Sequence, residues 1–159
     1  MTARTDLAQA MRLYAITDRT YDALRPLPLA VKQAIQGGAT CIQLRDKHTL
    51  PTTESDARAV ADLCRYAGIP FIVNDDVALA CRVDADGVHV GQDDTSCAEA
   101  RAALGSDKII GVSVHTVEEA KQAEAQGADY VGVGALFATP TKPDAHVVAP
   151  EELKAITET

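Results

Sequence analysis

Short apolar runs alternate with helical patterns along the whole chain. Leu13 to Ile16 reads as a first strand, ending at Thr17-Asp18. From Leu29 to Gln36 the pairs Ala30/Ala34 and Val31/Ile35 recur at helical spacing, with Pro28 suited to the start and Gly37-Gly38 to the stop. Thr40 to Leu44 is a second strand. Ala57, Val60, Ala61 and Cys64 then fall at i, i+3, i+4 and i+7, one face of a helix that Gly68 ends. Further strands are expected at Ile69 to Val73, Gly87 to Val90, Ile109 to Val112 and Tyr130 to Val133. A short helix fits around Val77 to Cys81. Capping boxes open two more helices, at Ser96-Cys97-Ala98-Glu99 and Thr116-Val117-Glu118-Glu119, stopped by Gly105 and Gly127. A last helical pattern runs from about Glu151 to Ile156.

Gly38-Ala39-Thr40-Cys41-Ile42 and Gly127-Ala128-Asp129-Tyr130-Val131 echo each other, and Ala85-Asp86-Gly87-Val88 is a weaker third copy, so a helix-to-strand unit repeats. Strands alternating with helices imply an α/β fold with a parallel sheet, either open and doubly wound or a (β/α) barrel. Polar groups follow five of the strands: Gln43 to Lys47, Asn74-Asp75-Asp76, Gln92-Asp93-Asp94, Ser113 to His115 and Thr139 to Lys142. A barrel would gather all five at its C-terminal mouth, whereas an open sheet binds at one switch point. Five contributing units favour the barrel.

Of these groups, Gln43-Leu44-Arg45-Asp46-Lys47 is the most telling. On a strand Gln43, Arg45 and Lys47 share one face and Leu44 takes the other, so two cations and an amide converge where the strand ends. Inside a sheet that arrangement is costly unless an anion faces it, and a diphosphate fits. A single loop aspartate would read as a helix cap, the role expected of Asp76, Asp93 and Thr95. Asp75 and Asp94 together, each after a strand, can instead share Mg²⁺, which keeps waters and is completed by substrate phosphates. Lys142 joins Arg45 and Lys47 as a phosphate partner. Thr139 and Thr141, around Pro140, offer hydroxyls and amides, and the preceding glycines lack nucleotide P-loop spacing.

Composition narrows the classes. The chain of 159 residues is 47% hydrophobic, enough for one domain spanning 1–159, and its net charge of -8 argues against nucleic acid or an anionic membrane as partner. No window approaches the roughly 18 apolar residues of a membrane span. With no apolar core in the first eleven residues for a signal peptide, the expected location is cytoplasmic. Cys41, Cys64, Cys81 and Cys97 show no metal-ligand spacing and read as reduced thiols, two of them in apolar patterns. His89 lies inside a strand and reads as a packed or hydrogen-bonded core residue. His115 could act as acid or base or could hold its loop. His48 and His146 stand in polar loops.

Taken in order, Gln-Leu-Arg-Asp-Lys (43–47), Val-Asn-Asp-Asp (73–76), Gly-Val-His-Val-Gly-Gln-Asp-Asp (87–94), Gly-Val-Ser-Val-His (111–115) and Thr-Pro-Thr-Lys (139–142) resemble the thiamine-phosphate synthase family. The resemblance runs from about Leu13 to the end. It implies a TIM barrel and a Mg²⁺-dependent transferase of thiamine biosynthesis, which couples hydroxymethylpyrimidine diphosphate to a thiazole phosphate and releases pyrophosphate. By position, Gln43, Leu44, Arg45, Asp46, Lys47 and Asn74 would bind the pyrimidine diphosphate, with Ser113 and Lys142 also touching it. Thr139, Pro140 and Thr141 would face the thiazole phosphate, and Asp75 and Asp94 would hold Mg²⁺. Arg45, Lys47, Ser113 and Lys142 would carry catalysis.

The family's barrel has eight βα units and only about six are legible, so the resemblance further implies a C-terminally truncated barrel whose open edges a homo-oligomer could cover. Three readings follow: a thiamine-phosphate synthase, a thiazole tautomerase or regulator-type sister, or a truncated, non-catalytic chain that binds Mg²⁺-pyrophosphate.

Overall fold

A computed structural model describes residues 6–18, 25–46, 52–138 and 147–159. The chain falls into two compact units, residues 1–88 and 89–159, with the boundary inside the fourth strand. All six expected strands form, each followed by a helix among the described residues, and they are ordered as in the chain.

The first unit opens with helix α1 (Leu7–Ala10), capped by the Asp6 carboxylate on the amides of Ala8 and Gln9, and a 3₁₀ turn over Met11–Leu13. Neither was expected, because four residues carry too little periodicity to register. Strand β1 (Tyr14–Ile16), helix α2 (Leu27–Gln36), strand β2 (Cys41–Leu44), helix α3 (Glu54–Ala67), strand β3 (Phe71–Asn74) and helix α4 (Val77–Val83) follow, and β4 (Gly87–Val90) begins. β1 pairs with β2 and β2 with β3, both parallel, in the registers Ile16↔Gln43 and Leu44↔Val73. The four residues that mark the apolar face of α3, Ala57, Val60, Ala61 and Cys64, are its buried residues, and Gly68 closes it in the left-handed conformation at φ 69°. Helix α2 starts two residues earlier than its apolar pattern does, with Pro28 in its first turn.

The second unit holds the end of β4, helix α5 (Cys97–Leu104), strand β5 (Ile109–Val114), helix α6 (Val117–Ala125), strand β6 (Tyr130–Val133) and helix α7 (Pro150–Thr157). β5 and β6 pair in parallel, Gly111 against Tyr130 and Ser113 against Gly132. The Ser96 capping box forms in full. The Thr116 box forms by half: Thr116 accepts the Glu119 amide, but the Glu119 carboxylate turns to His115 instead of the cap's own amide. Of the three expected helix caps, Asp76 alone fills the role, holding the Leu79 amide at 2.8 Å. The helix near Asp93 and Thr95 is capped by Ser96 instead.

The sequence echo has a structural meaning. Thr40 donates its amide to the Leu13 carbonyl at 2.9 Å and takes the Leu13 amide on its hydroxyl at 2.8 Å. Asp86 does the same to Phe71, at 2.9 Å both ways, and Asp129 to Ile110, at 2.8 Å both ways. In each case the residue before one strand latches reciprocally onto a residue within one position of the start of the previous strand. The preceding alanine (Ala39, Ala85, Ala128) bonds back to the end of its helix. The return bond from the partner's amide requires a short side chain with an acceptor oxygen, which explains Thr or Asp at that point of the repeat.

Candidate active site at the strand ends

In the first unit, β2 leads into the stretch that sequence singles out. All four strand residues are buried, Gln43 at 3% exposure among them, and the strand ends at Leu44. Arg45 already lies in the segment after the strand, so strand alternation does not set its face, and Lys47 lies outside the described residues. Gln43 is committed inward, its amide donating to the Tyr14 hydroxyl at 3.0 Å across the β1–β2 pair. Leu44 packs in the core. Thr17, just past β1, accepts the Arg45 amide at 3.0 Å and returns its hydroxyl to the Arg45 carbonyl at 3.3 Å, so the backbone beneath the guanidinium is clamped from the neighbouring strand end. Asp46 takes the Thr52 amide on Oδ2. Among the described residues its Oδ1 and the Thr52 hydroxyl are buried without a hydrogen-bond partner.

After β3 the chain reverses sharply. Asp75 sits at φ 62°, a left-handed conformation that aspartate tolerates better than most side chains, and the Asp76 amide bonds back to the Asn74 carbonyl at 2.7 Å. The Asn74 amide donates to Asp75 Oδ2 at 2.6 Å, orienting that carboxylate. The conformational cost falls on the residue expected to hold the metal, a place where such cost collects.

In the second unit, β4 delivers Asp94 through a tight loop in which Oδ2 accepts the Gly91 amide at 2.9 Å. A Cβ at position 91 would stand 2.8 Å from that oxygen, so glycine clears the carboxylate's seat. Asp94 is exposed and forms no ion pair among the described residues. Gln92 reaches across to the Ser113 carbonyl at 2.7 Å. The Ser113 hydroxyl, near the end of β5, lies 2.9 Å from His89 Nε2, and His89 Nδ1 lies 3.1 Å from the Tyr130 hydroxyl on β6. His89 is thus the hydrogen-bonded strand residue expected. His115 bonds to Glu119 through both its amide (2.6 Å) and Nδ1 (3.2 Å), an anchor for the turn into α6.

Asp75 and Asp94 are hard oxygen donors, each oriented by a neutral hydrogen-bond donor. Among the described residues no group of three or more His, Cys, Asp or Glu side chains could hold a metal. Each carboxylate is of the kind that Mg²⁺ takes alongside waters and phosphate oxygens. Lys47, Thr139, Pro140, Thr141 and Lys142, with His48 and His146, lie outside the described residues. Sequence reasoning gave no role to Tyr14 or Tyr130, because each acts through a partner brought to it by strand pairing.

The family model described as thiamine monophosphate synthase matches residues 13–159. The chain belongs to this family. It is 48% identical over 150 residues to the thiamine-phosphate synthase of Bacillus velezensis, a match covering 92% of this chain and 66% of the relative. To that of Shouchella clausii it is 52% identical over 134 residues, covering 84% and 64%. The thiamine phosphate pyrophosphorylase from Pyrococcus furiosus superimposes with a TM-score of 0.84 at 40% identity, over 97% of this chain and 73% of that one. The chain thus spans about two thirds of the length of these curated relatives. Among the described residues no helix is long and apolar enough to cross a membrane.

Proposed function

We propose that the chain is a thiamine-phosphate synthase, a transferase that joins hydroxymethylpyrimidine diphosphate to thiazole phosphate in the cytoplasm. The observation that carries the reading is the family match along 13–159, together with Asp75, Asp94, Arg45 and Ser113 at the C-terminal ends of their strands. The architecture proposed is the family's TIM barrel, built as a single domain.

Asp75 and Asp94 would hold Mg²⁺, which when bound supplies positive charge to the departing pyrophosphate. Arg45, Lys47 and Lys142 supply charge-assisted bonds to the same oxygens. The bond from the pyrimidine methylene to oxygen breaks with its electron pair leaving on pyrophosphate. The thiazole nitrogen then gives its lone pair to the methylene cation. Asn74 and Ser113 bind the pyrimidine, and Thr139, Pro140 and Thr141 the thiazole phosphate. Gln43 contributes by bracing the strand end from inside, through Tyr14.

The test supplies both phosphorylated precursors and Mg²⁺ to the 159-residue chain. Thiamine phosphate and pyrophosphate are expected in equal amounts, and are abolished by a chelator and by Asp94→Ala. Product that survives both treatments, or a folded chain that forms none, overturns the reading.

A further inference from the structure

The second unit ties Ser113 to two residues with no assigned part in the reaction: Tyr130, His89 and Ser113 hydrogen-bond in series across β6, β4 and β5. The two ring nitrogens of His89 have different partners. Nδ1 stands 3.1 Å from the phenol and Nε2 stands 2.9 Å from the serine hydroxyl, with the two rings tilted by 33°. The backbone is cleared for the pair. A Cβ on Gly111 would lie 2.1 Å from Tyr130 Cζ and 2.6 Å from His89 Nδ1, and one on Gly132 would lie 3.0 Å from His89 Cε1. Two strand positions without side chains therefore give the imidazole and the phenol their room, and the parallel register sets Gly111 directly against Tyr130.

We propose that Tyr130 and His89 are positioning residues that set the direction of the Ser113 hydroxyl, making it a hydrogen-bond donor toward a neutral acceptor such as a ring nitrogen of the pyrimidine. A neutral imidazole carries one N–H, and what faces one nitrogen decides the role of the other. A phenol donates more readily than it accepts, so Tyr130 gives its proton to Nδ1. Nε2 then carries the hydrogen and donates to Ser113 Oγ. With that oxygen already accepting, the serine proton points outward to the ligand. The opposite tautomer would turn the serine proton onto His89 and present the ligand with an acceptor, which a ring nitrogen cannot use. The selectivity for the ring thus starts at a tyrosine on the neighbouring strand, two register positions from Ser113.

The role assigned to Ser113 rests on the pyrimidine-binding reading above; the tautomer does not, and the two are measured separately. Nitrogen-15 NMR of the ligand-free protein, with His89 assigned by its loss in His89→Gln, should show a pyridine-like Nδ1 and a pyrrole-like Nε2. A pyrrole-like Nδ1 overturns the proposal whatever the activity. In steady-state kinetics, Tyr130→Phe and His89→Ala should raise KM for the pyrimidine diphosphate about tenfold, the size of one lost hydrogen bond, and leave KM for the thiazole phosphate unchanged. His89→Gln, which keeps an N–H near Ser113, should recover most of the loss. Equal loss for both substrates, or a glutamine variant no better than alanine, overturns the proposal. A folded chain with the expected tautomer but no turnover refutes the synthase reading and leaves the hydrogen-bond series standing.

Discussion

Replacing Asp129 by alanine tests the latch that the repeat encodes. Asp129 Oδ2 accepts the Ile110 amide at 2.8 Å and Arg101 Nη2 at 2.6 Å. Arg101 in turn donates to the carbonyls of Gly105, Lys108 and Gly127 at 3.1, 2.5 and 2.9 Å. Ile110 is fully buried, so its abandoned amide costs about 1–3 kcal/mol. The ion pair has side chains 23% and 25% exposed and is partly screened, adding about 1 kcal/mol. Asp129→Ala should therefore destabilise by about 2–4 kcal/mol. Asp129→Asn keeps an oxygen for the amide and loses only the charge, so it should cost about 1 kcal/mol. Asp86→Ala removes the amide bond alone and should fall between them at about 1–3 kcal/mol, since Asp86 forms no ion pair among the described residues. Urea unfolding followed by circular dichroism gives each value from the midpoint at constant m. An alanine variant within about 0.5 kcal/mol of wild type, or an asparagine variant as damaged as the alanine one, refutes the latch.

Four further outcomes are expected. Asp75→Asn should unfold at the wild-type urea midpoint while losing metal-dependent turnover, because asparagine tolerates φ 62° but offers Mg²⁺ no charge; retained turnover would remove Asp75 from the metal site. Arg45→Ala should weaken the pyrimidine diphosphate roughly 10–100-fold and the thiazole phosphate little, read by binding titration, and equal weakening would contradict the assignment. Burial pushes the Cys41 and Cys64 thiols from 9.0 up to about 12, with Cys64 and Asp86 adding to the shift at Cys41 and Asp86 to that at Cys64. The folded chain thus keeps protons that the unfolded chain releases near pH 9.0, and stability present below that pH should fall as pH rises toward 12. A thiol reagent at pH 8 should label exposed Cys81 and spare Cys41 and Cys64 until urea is added; prompt labelling of either would refute their burial.

Sequence alone determined where the elements lie and what family their motifs belong to. Ala57, Val60, Ala61 and Cys64 announce a buried helix face, Gly68 its stop and Ser96-Glu99 a cap, because helical periodicity and backbone caps are local and act within a turn or two. The motif residues point to an anion and a metal through their chemical type and their place after strands. Tertiary structure decided what those residues touch. Gln43 reads as a diphosphate ligand, and only the pairing with β1 supplies the Tyr14 hydroxyl to which its amide donates; Glu119 reads as half of a capping box until His115 offers it a better donor. His89, Ser113 and Tyr130, up to 41 residues apart, form one hydrogen-bonded series only when the parallel register is set. Periodicity records which face of an element is buried; which partner waits there depends on pairing between distant segments, and that free energy appears only once the strands are side by side.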